Sequence, residues 1–354
     1  MNLNGKMKAA VITGPMKMAI QEVPIPEIGD EDVLIEILAC GICTTDIELY
    51  DGTMPYLTSG LTPLPLIPGH EWSGKVAKVG KNVTGLKIGQ LVTGDVSIGC
   101  SNCHNCMQGK YHLCTDRKEI GIIRYDGAFA EYIKVPVRNV YKLPDGFSAL
   151  TAMFLEPAAT SVNGVIRTGI KFGDRVVVFG DGAIGLFAAQ AALAQGASRV
   201  AVVARKNLNQ GLIKSWGLDF INTTKIDVES AIENLWETQA DVVFEATGNP
   251  DVINDAIRVT ASGGKICALS IVGKPRVAID IDSIVCRDIS IIGVVASPNA
   301  FLPTIRMMTE GKLHVDGMVT AKYLLADCNE AFDFVKHKKG PRIKVAIVKD
   351  MDVS

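Results

Sequence analysis

The run Gly180-Asp181-Gly182-Ala183-Ile184-Gly185 constrains the fold of this chain more than any other stretch. It matches G-x-G-x-x-G, a pattern that means little alone. Here a β-branched strand, Arg175–Phe179, precedes it, an apolar helical stretch, Ala183–Gln195, follows, and a second apolar strand, Arg199–Ala204, closes the unit. Strand, glycine turn and helix in that order predict a βαβ unit whose glycines let the backbone approach a pyrophosphate at the helix N-terminus. Gly180, Gly182, Ala183, Ile184 and Gly185 are the candidate contacts, with a plain tight βα turn as the alternative. An acid at the end of the second strand would bind a ribose 2′-OH and repel a 2′-phosphate. This chain has Ala204-Arg205-Lys206 instead, so the repulsion is gone and a planar guanidinium fork is at hand. These three residues point to NADP(H) rather than NAD(H), against the alternative of solvated loop charges.

Further strands are expected at Asp241–Ala246, Lys265–Ser270 and Ile289–Val294, with helical segments between them. Such alternation predicts a parallel, doubly wound sheet. The first 150 residues read differently. Short runs such as Val33–Leu38, Lys75–Val79 and Ala130–Val135 lie between turn signals and suggest antiparallel β structure. Beyond residue 300 come helices at Pro303–Glu310 and Cys328–His337 and a strand at Lys344–Val348, a tail that could return to the first domain.

At 354 residues, 48% hydrophobic and 21% charged, the chain has material for about two packed domains. Its net charge of −2 argues against a nucleic-acid or anionic-membrane partner. The basic stretch Lys336–Lys339 reads as a solvated helix end. Residues 182–198 are uncharged but interrupted by Gln and Gly and too short to span a bilayer. The opening MNLNGKMKAAVITG lacks a signal-peptide core, so a cytoplasmic location is expected.

Four of the nine cysteines crowd into Cys100-x2-Cys103-x2-Cys106-x7-Cys114. Without a secretory signal, this predicts a closed structural zinc site rather than disulfides. A ferredoxin-type cluster would end C-x3-C-P, whereas Thr115 follows the last cysteine here. His104 reads as a bystander. A second set is more dispersed: Cys43-Thr44-Thr45-Asp46 and, 27 residues on, Gly69-His70-Glu71. Thiolate, imidazole and carboxylate together make a credible zinc set with one position open. Asp46 could accept the other ring N–H of His70 or simply cap a helix. Glu156 in Leu155-Glu156-Pro157 is a third candidate, or merely a helix start.

In this order the features resemble the zinc-containing medium-chain dehydrogenase/reductase family. Gly69-His70-Glu71-Trp72-Ser73-Gly74, with Gly80 and Val83, is similar to its zinc signature, and the four-cysteine lobe, Gly127–Tyr132 and the nucleotide fingerprint agree. The resemblance implies an α/β protein: a GroES-like, β-rich catalytic domain from 1–155 and 297–354, its zinc lobe near 95–115, and a Rossmann domain at 156–296. It implies Cys43, His70 and Glu156 around a catalytic zinc, with Glu71 as ligand or exchange partner. Zinc would acidify a substrate hydroxyl, Thr45 would relay the proton, and a hydride would pass to C4 of the nicotinamide. Glu-Pro at 156–157 is similar to the sorbitol and ketose-reductase polyol branch, whose NADPH-using members have a similar Ala-Arg pair. That branch often carries Arg and an aromatic where Ala296-Ser297 stand here, which puts sorbitol itself in doubt. A polyol or sugar, free or phosphorylated, is the expected substrate, with Tyr50, Leu57, Trp72, Phe129 and Ser297 shaping its pocket. A homodimer or homotetramer is implied. The rivals are an NAD-using alcohol or threonine dehydrogenase, a zinc-free enone or quinone reductase, and a non-catalytic nucleotide binder.

Overall fold

A computed structural model describes residues 5–273, 276–337 and 342–353. Lys338 and Lys339, half of the expected basic helix end, lie outside the described residues. The chain forms two compact units, one of residues 1–156, 296–305 and 318–354, the other of 157–295 and 306–317.

The first unit is β-rich. Its strands are β1 (Lys6–Gly14), β2 (Lys17–Pro24), β3 (Asp32–Gly41), β4 (Glu71–Val79), β5 (Leu91–Gly94), β6 (Ser97–Ile98), β7 (Lys118–Glu119), β8 (Tyr132–Pro136) and β9 (Val140–Lys142). Between them lie short helices: α1 (Thr44–Asp51), α2 (Pro55–Thr58), α3 (His104–Met107) and α4 (Ala149–Ala152). Helix α5 (Leu155–Thr168) begins two residues before the unit ends.

Six parallel strands build the second unit: β10 (Arg175–Phe179), β11 (Arg199–Ala204), β12 (Asp219–Asn222), β13 (Ala240–Glu245), β14 (Thr260–Ala268) and β15 (Ser290–Gly293). Their order, β12-β11-β10-β13-β14-β15, is that of a doubly wound sheet, with the topological switch between β10 and β13. The helices are α6 (Ala183–Gln195), α7 (Gln210–Ser215), α8 (Val228–Trp236), α9 (Val252–Val259) and α10 (Ile281–Cys286). Nine residues of α6 are buried, which accounts for its apolar composition on every face. It stops at Gly196, whose φ of +116° suits a glycine cap.

The tail supplies α11 (Phe301–Thr309), β16 (Val319–Leu324), α12 (Cys328–His337) and β17 (Lys344–Val348). A single return at 297 was expected, but residues 306–317 pack with the nucleotide-type unit. Gln190 explains the detour: its amide accepts the His314 N–H at 2.7 Å and donates to the His314 carbonyl at 3.3 Å. The rest of the tail completes the first unit. β17 pairs antiparallel with β3, which also pairs with β4 and β8, so β3 is the spine of a seven-stranded sheet. Phe332 of α12 is fully buried and meets Tyr50 and Phe129 edge-on at 5.6 and 5.7 Å. Each such aromatic pair adds about 0.5–1.5 kcal/mol beyond burial. Among the described residues no helix is long and apolar enough to cross a membrane.

Candidate metal centre and nucleotide turn

The strand register brings the dispersed ligand candidates together. Gly41, the last residue of β3, pairs with Glu71, the first of β4. On the other side Ile42 N–H donates to the Val345 carbonyl at 2.8 Å, which fixes Lys344 beside them. At Gly41 a Cβ would have to displace the Glu71 carboxylate and the Lys344 side chain. Cys43 follows as the N-cap of α1. Cys43 Sγ, a ring nitrogen of His70 and a carboxylate oxygen of Glu71 lie within 4.8 Å of one another. His70 is 4% and Glu71 2% exposed.

Asp46 has both of its expected roles in part. Its Oδ2 accepts the Cys43 N–H at 2.8 Å, the return half of a helix cap, while Oδ1 accepts the Gly69 N–H at 3.0 Å. The same Oδ1 stands 3.4 Å from His70 Nδ1, too long for a good hydrogen bond but close enough to orient a charged ring. Thr45 is half-buried on the first turn of α1.

Glu71 enters the triplet; Glu156 does not. Burial pushes the Glu156 carboxyl up to about 7, with His70 and Lys344 opposing the shift and Glu71 and Asp95 adding to it, so Glu156 is an electrostatic neighbour of the triplet. Lys344 was not anticipated. Its Nζ lies 2.6 and 2.5 Å from the two Glu71 oxygens. Burial alone would discharge this ammonium, but the carboxylate beside it holds its pKa above the usual value. Thiolate, imidazole and carboxylate suit a zinc ion with one coordination position left open, and Lys344 offsets part of their negative charge.

The four Sγ atoms of Cys100, Cys103, Cys106 and Cys114 also lie within 4.8 Å of one another. The Cys100 N–H points at Cys114 Sγ, 3.4 Å away, and a Cβ on Gly99 would strike Cys106 Sγ. Four converging thiols fit a closed tetrahedral zinc site. Exposed His104 stays outside the cluster. Tyr111, within this lobe, donates its hydroxyl to Asp95 Oδ2 at 2.5 Å and accepts the Asn299 N–H at 2.9 Å. Burial raises Asp95 to about 6, although Tyr111 and the Ser97 N–H oppose it. Neither Tyr111 nor Asp95 carries a local sequence signal.

In the second unit each glycine of the turn has a separate reason. At Gly180 φ is +112° and a Cβ would meet the Ala246 carbonyl at 2.8 Å, the loop after β13 lying across the switch point. A Cβ on Gly185 would collide with the Gly180 carbonyl. Gly182, the N-cap of α6, faces open space, so its backbone is accessible to an anion. Ala183 and Ile184 begin the helix. Ala204 closes β11 and is buried; Arg205 and Lys206 follow it exposed, and among the described residues neither forms an ion pair.

The expected substrate-pocket set is partly corrected. Trp72, on β4, and Phe129 are both fully buried in the core of the first unit, so neither presents an open face to a substrate. Tyr50 is half-buried against that core, Leu57 packs on a small satellite cluster, and Ser297 is buried.

Comparison with known proteins agrees along the chain. The profile of the alcohol dehydrogenase GroES-like domain matches residues 29–145, and that of the zinc-binding dehydrogenase matches 183–310. A sorbitol dehydrogenase from Bacillus subtilis is 29% identical over 96% of this chain and 97% of its own. An L-threonine 3-dehydrogenase from Bacillus velezensis is 32% identical over 98% and 100%. A Sinorhizobium meliloti protein whose crystal structure holds NADP superposes with a TM-score of 0.89, at 29% identity over 97% of this chain and 99% of that one.

Proposed function

Because this chain belongs to the zinc-containing medium-chain dehydrogenase/reductase family, in its polyol branch, we propose that it interconverts a secondary alcohol of a polyol or sugar with its ketone, using NADP(H). A zinc-type dehydrogenase of the polyol, alcohol or threonine kind is the general class. The observation that carries the reading is the Cys43–His70–Glu71 triplet, its imidazole and carboxylate buried and its thiol half-buried, beside Glu156. Two zinc ions per chain are proposed, one on this triplet and one on the four cysteines.

A zinc ion bound there would supply Lewis acidity toward a substrate hydroxyl, and a bound nicotinamide would supply the hydride acceptor or donor. The protein's own residues do the rest. Cys43, His70 and Glu71 would hold the metal, and Asp46 orients the His70 ring. Thr45, two residues past Cys43, takes the hydroxyl proton toward solvent. Lys344 keeps Glu71 from leaving a net anion in the core. Glu156, whose burial favours its neutral form, presents a hydrogen-bonding group to a hydroxyl-rich substrate. In the second unit Gly180, Gly182, Ala183, Ile184 and Gly185 take the pyrophosphate, and Ala204, Arg205 and Lys206 take the 2′-phosphate. The nine unpaired cysteines suit a reducing, cytoplasmic setting.

L-Threonine is the rival substrate, given the 32% identity to an L-threonine 3-dehydrogenase. The deciding experiment is a steady-state screen of polyols, their phosphates, simple alcohols and L-threonine with both cofactors. A polyol or polyol phosphate with NADP should give the highest kcat/KM. A higher value for L-threonine or a primary alcohol would overturn the substrate assignment.

A further inference from the structure

The second residue of the glycine-rich turn is an acid, the wrong charge for a turn that offers backbone N–H groups to a pyrophosphate. Asp181 stands one residue before Gly182, the N-cap of α6. A carboxylate there competes with a phosphate for the same positive helix end. The side chain is half-buried, which pushes its pKa upward, so it is not simply swung into bulk water.

It is claimed from another direction. Asn209, 8% exposed at the start of α7, donates from Nδ2 to the Asp181 carbonyl at 3.0 Å and to Asp181 Oδ2 at 2.9 Å. Both protons of one amide nitrogen therefore end on one residue. Asn209 also ends the loop that leaves β11 through Arg205 and Lys206, so the clasp ties that loop to the glycine turn.

We propose that Asn209 is a positioning residue for the cofactor, holding the Asp181 carboxylate away from the place the pyrophosphate takes at the N-terminus of α6. This rests on the reading of the second unit as a dinucleotide site. Pyrophosphate is common to both nicotinamide cofactors, so the clasp governs affinity for both alike. Choice between them stays with Ala204 and Arg205.

The test is equilibrium titration of the zinc-loaded full chain with NADPH and with NADH, followed by nicotinamide fluorescence. Asn209→Ala should raise both Kd values about tenfold or more, leaving their ratio within about twofold of the parent's. Asp181→Ala should bind both cofactors at least as tightly as the parent. The double variant should return to within about threefold of parental affinity, a rescue that a merely structural Asn209 would not show. Unchanged affinity in Asn209→Ala, loss confined to NADPH, or a double variant as weak as Asn209→Ala would each overturn the proposal. The Asp181→Ala arm stands alone if the other variants do not fold: weaker binding there overturns it too. Failure of the NADP(H) assignment shows separately, as a parental preference for NADH.

Discussion

Lys344 and Glu71, 273 residues apart in sequence, form a buried ion pair at 2.5 Å beside Cys43 and His70. Removing one partner of such a pair strands the other charge and costs roughly 3–5 kcal/mol. Lys344→Met should therefore lower the melting temperature of zinc-free protein sharply. Zinc loading should narrow the gap to the parent, because the metal then meets the Glu71 charge. An equal gap with and without zinc would show that Lys344 serves packing alone.

Elemental analysis after zinc-replete expression should find two zinc ions per chain. Cys103→Ser should remove one and lower stability; Cys43→Ser should remove the other and abolish turnover with the fold retained. Glu71→Gln should lose the same zinc as Cys43→Ser. Glu156→Gln should keep both metals and its cofactor affinity yet lose most turnover. Zinc loss in Glu156→Gln with retention in Glu71→Gln would exchange the two carboxylates' roles.

Cofactor choice should follow Arg205. A charge-assisted hydrogen bond contributes roughly 1.5–3 kcal/mol, equivalent to a preference of about ten- to 150-fold. We expect kcat/KM for NADP to exceed that for NAD at least about tenfold, and Ala204→Asp with Arg205→Leu to reverse the order. Equal efficiency in the parent would mean that these residues do not read the phosphate.

Asp95 should leave a mark on the pH dependence of stability. Its carboxyl rises from an ordinary 3.8 to about 6 in the fold. The folded chain thus holds this proton more tightly than the unfolded one, and the stabilisation is full below the unfolded value and lost as pH rises through about 6. Asp95→Asn cannot titrate. Relative to the parent it should gain roughly 1–2 kcal/mol between about pH 5 and about pH 7.5. A difference that stays flat in urea titrations at the two pH values would assign Asp95 an ordinary carboxyl.

The chain should be a homo-oligomer through the open edge of its parallel sheet. Among the described residues β15 pairs only with β14, and Ile291 on it, with Ile281 and Val285 of α10, is solvent-exposed, Val285 at 72%. Light scattering should give a multiple of 37.9 kDa, falling toward one chain in Val285→Glu. A parental particle of one chain at micromolar concentration would refute the oligomer.

Local chemistry made much of this legible. Arg175–Phe179, Ala183–Gln195, Arg199–Ala204, Cys328–His337 and Lys344–Val348 all form at their expected bounds, because β-branched runs and glycine stops act over a few residues. Strand β14 begins at Thr260, five residues before the expected Lys265, since its opening stretch is polar and only pairing with β13 extends it. Helix α11 includes Pro303, which sits in the first turn, where no N–H is needed. Lys344 was hidden for a different reason. A lysine heading an apolar strand reads as its solvated end, and only the β17–β3–β4 register turns it toward Glu71. Asp95 and Tyr111 were silent likewise, each an ordinary residue until the fold sets hydroxyl against carboxylate.

Strand β3 lies against β4 on one edge and against β8 and then β17 along the other, and β17 is translated some 300 residues after β3. As the chain leaves the ribosome, Cys43, His70 and Glu71 emerge early, next to a sheet whose spine has a bare edge. Every strand of the parallel sheet is synthesised before that edge can close. The inserted unit is thus free to fold as a guest while its host waits. During that interval the nascent catalytic unit must be kept from pairing with a neighbouring nascent chain, and Glu71 has no lysine to meet it.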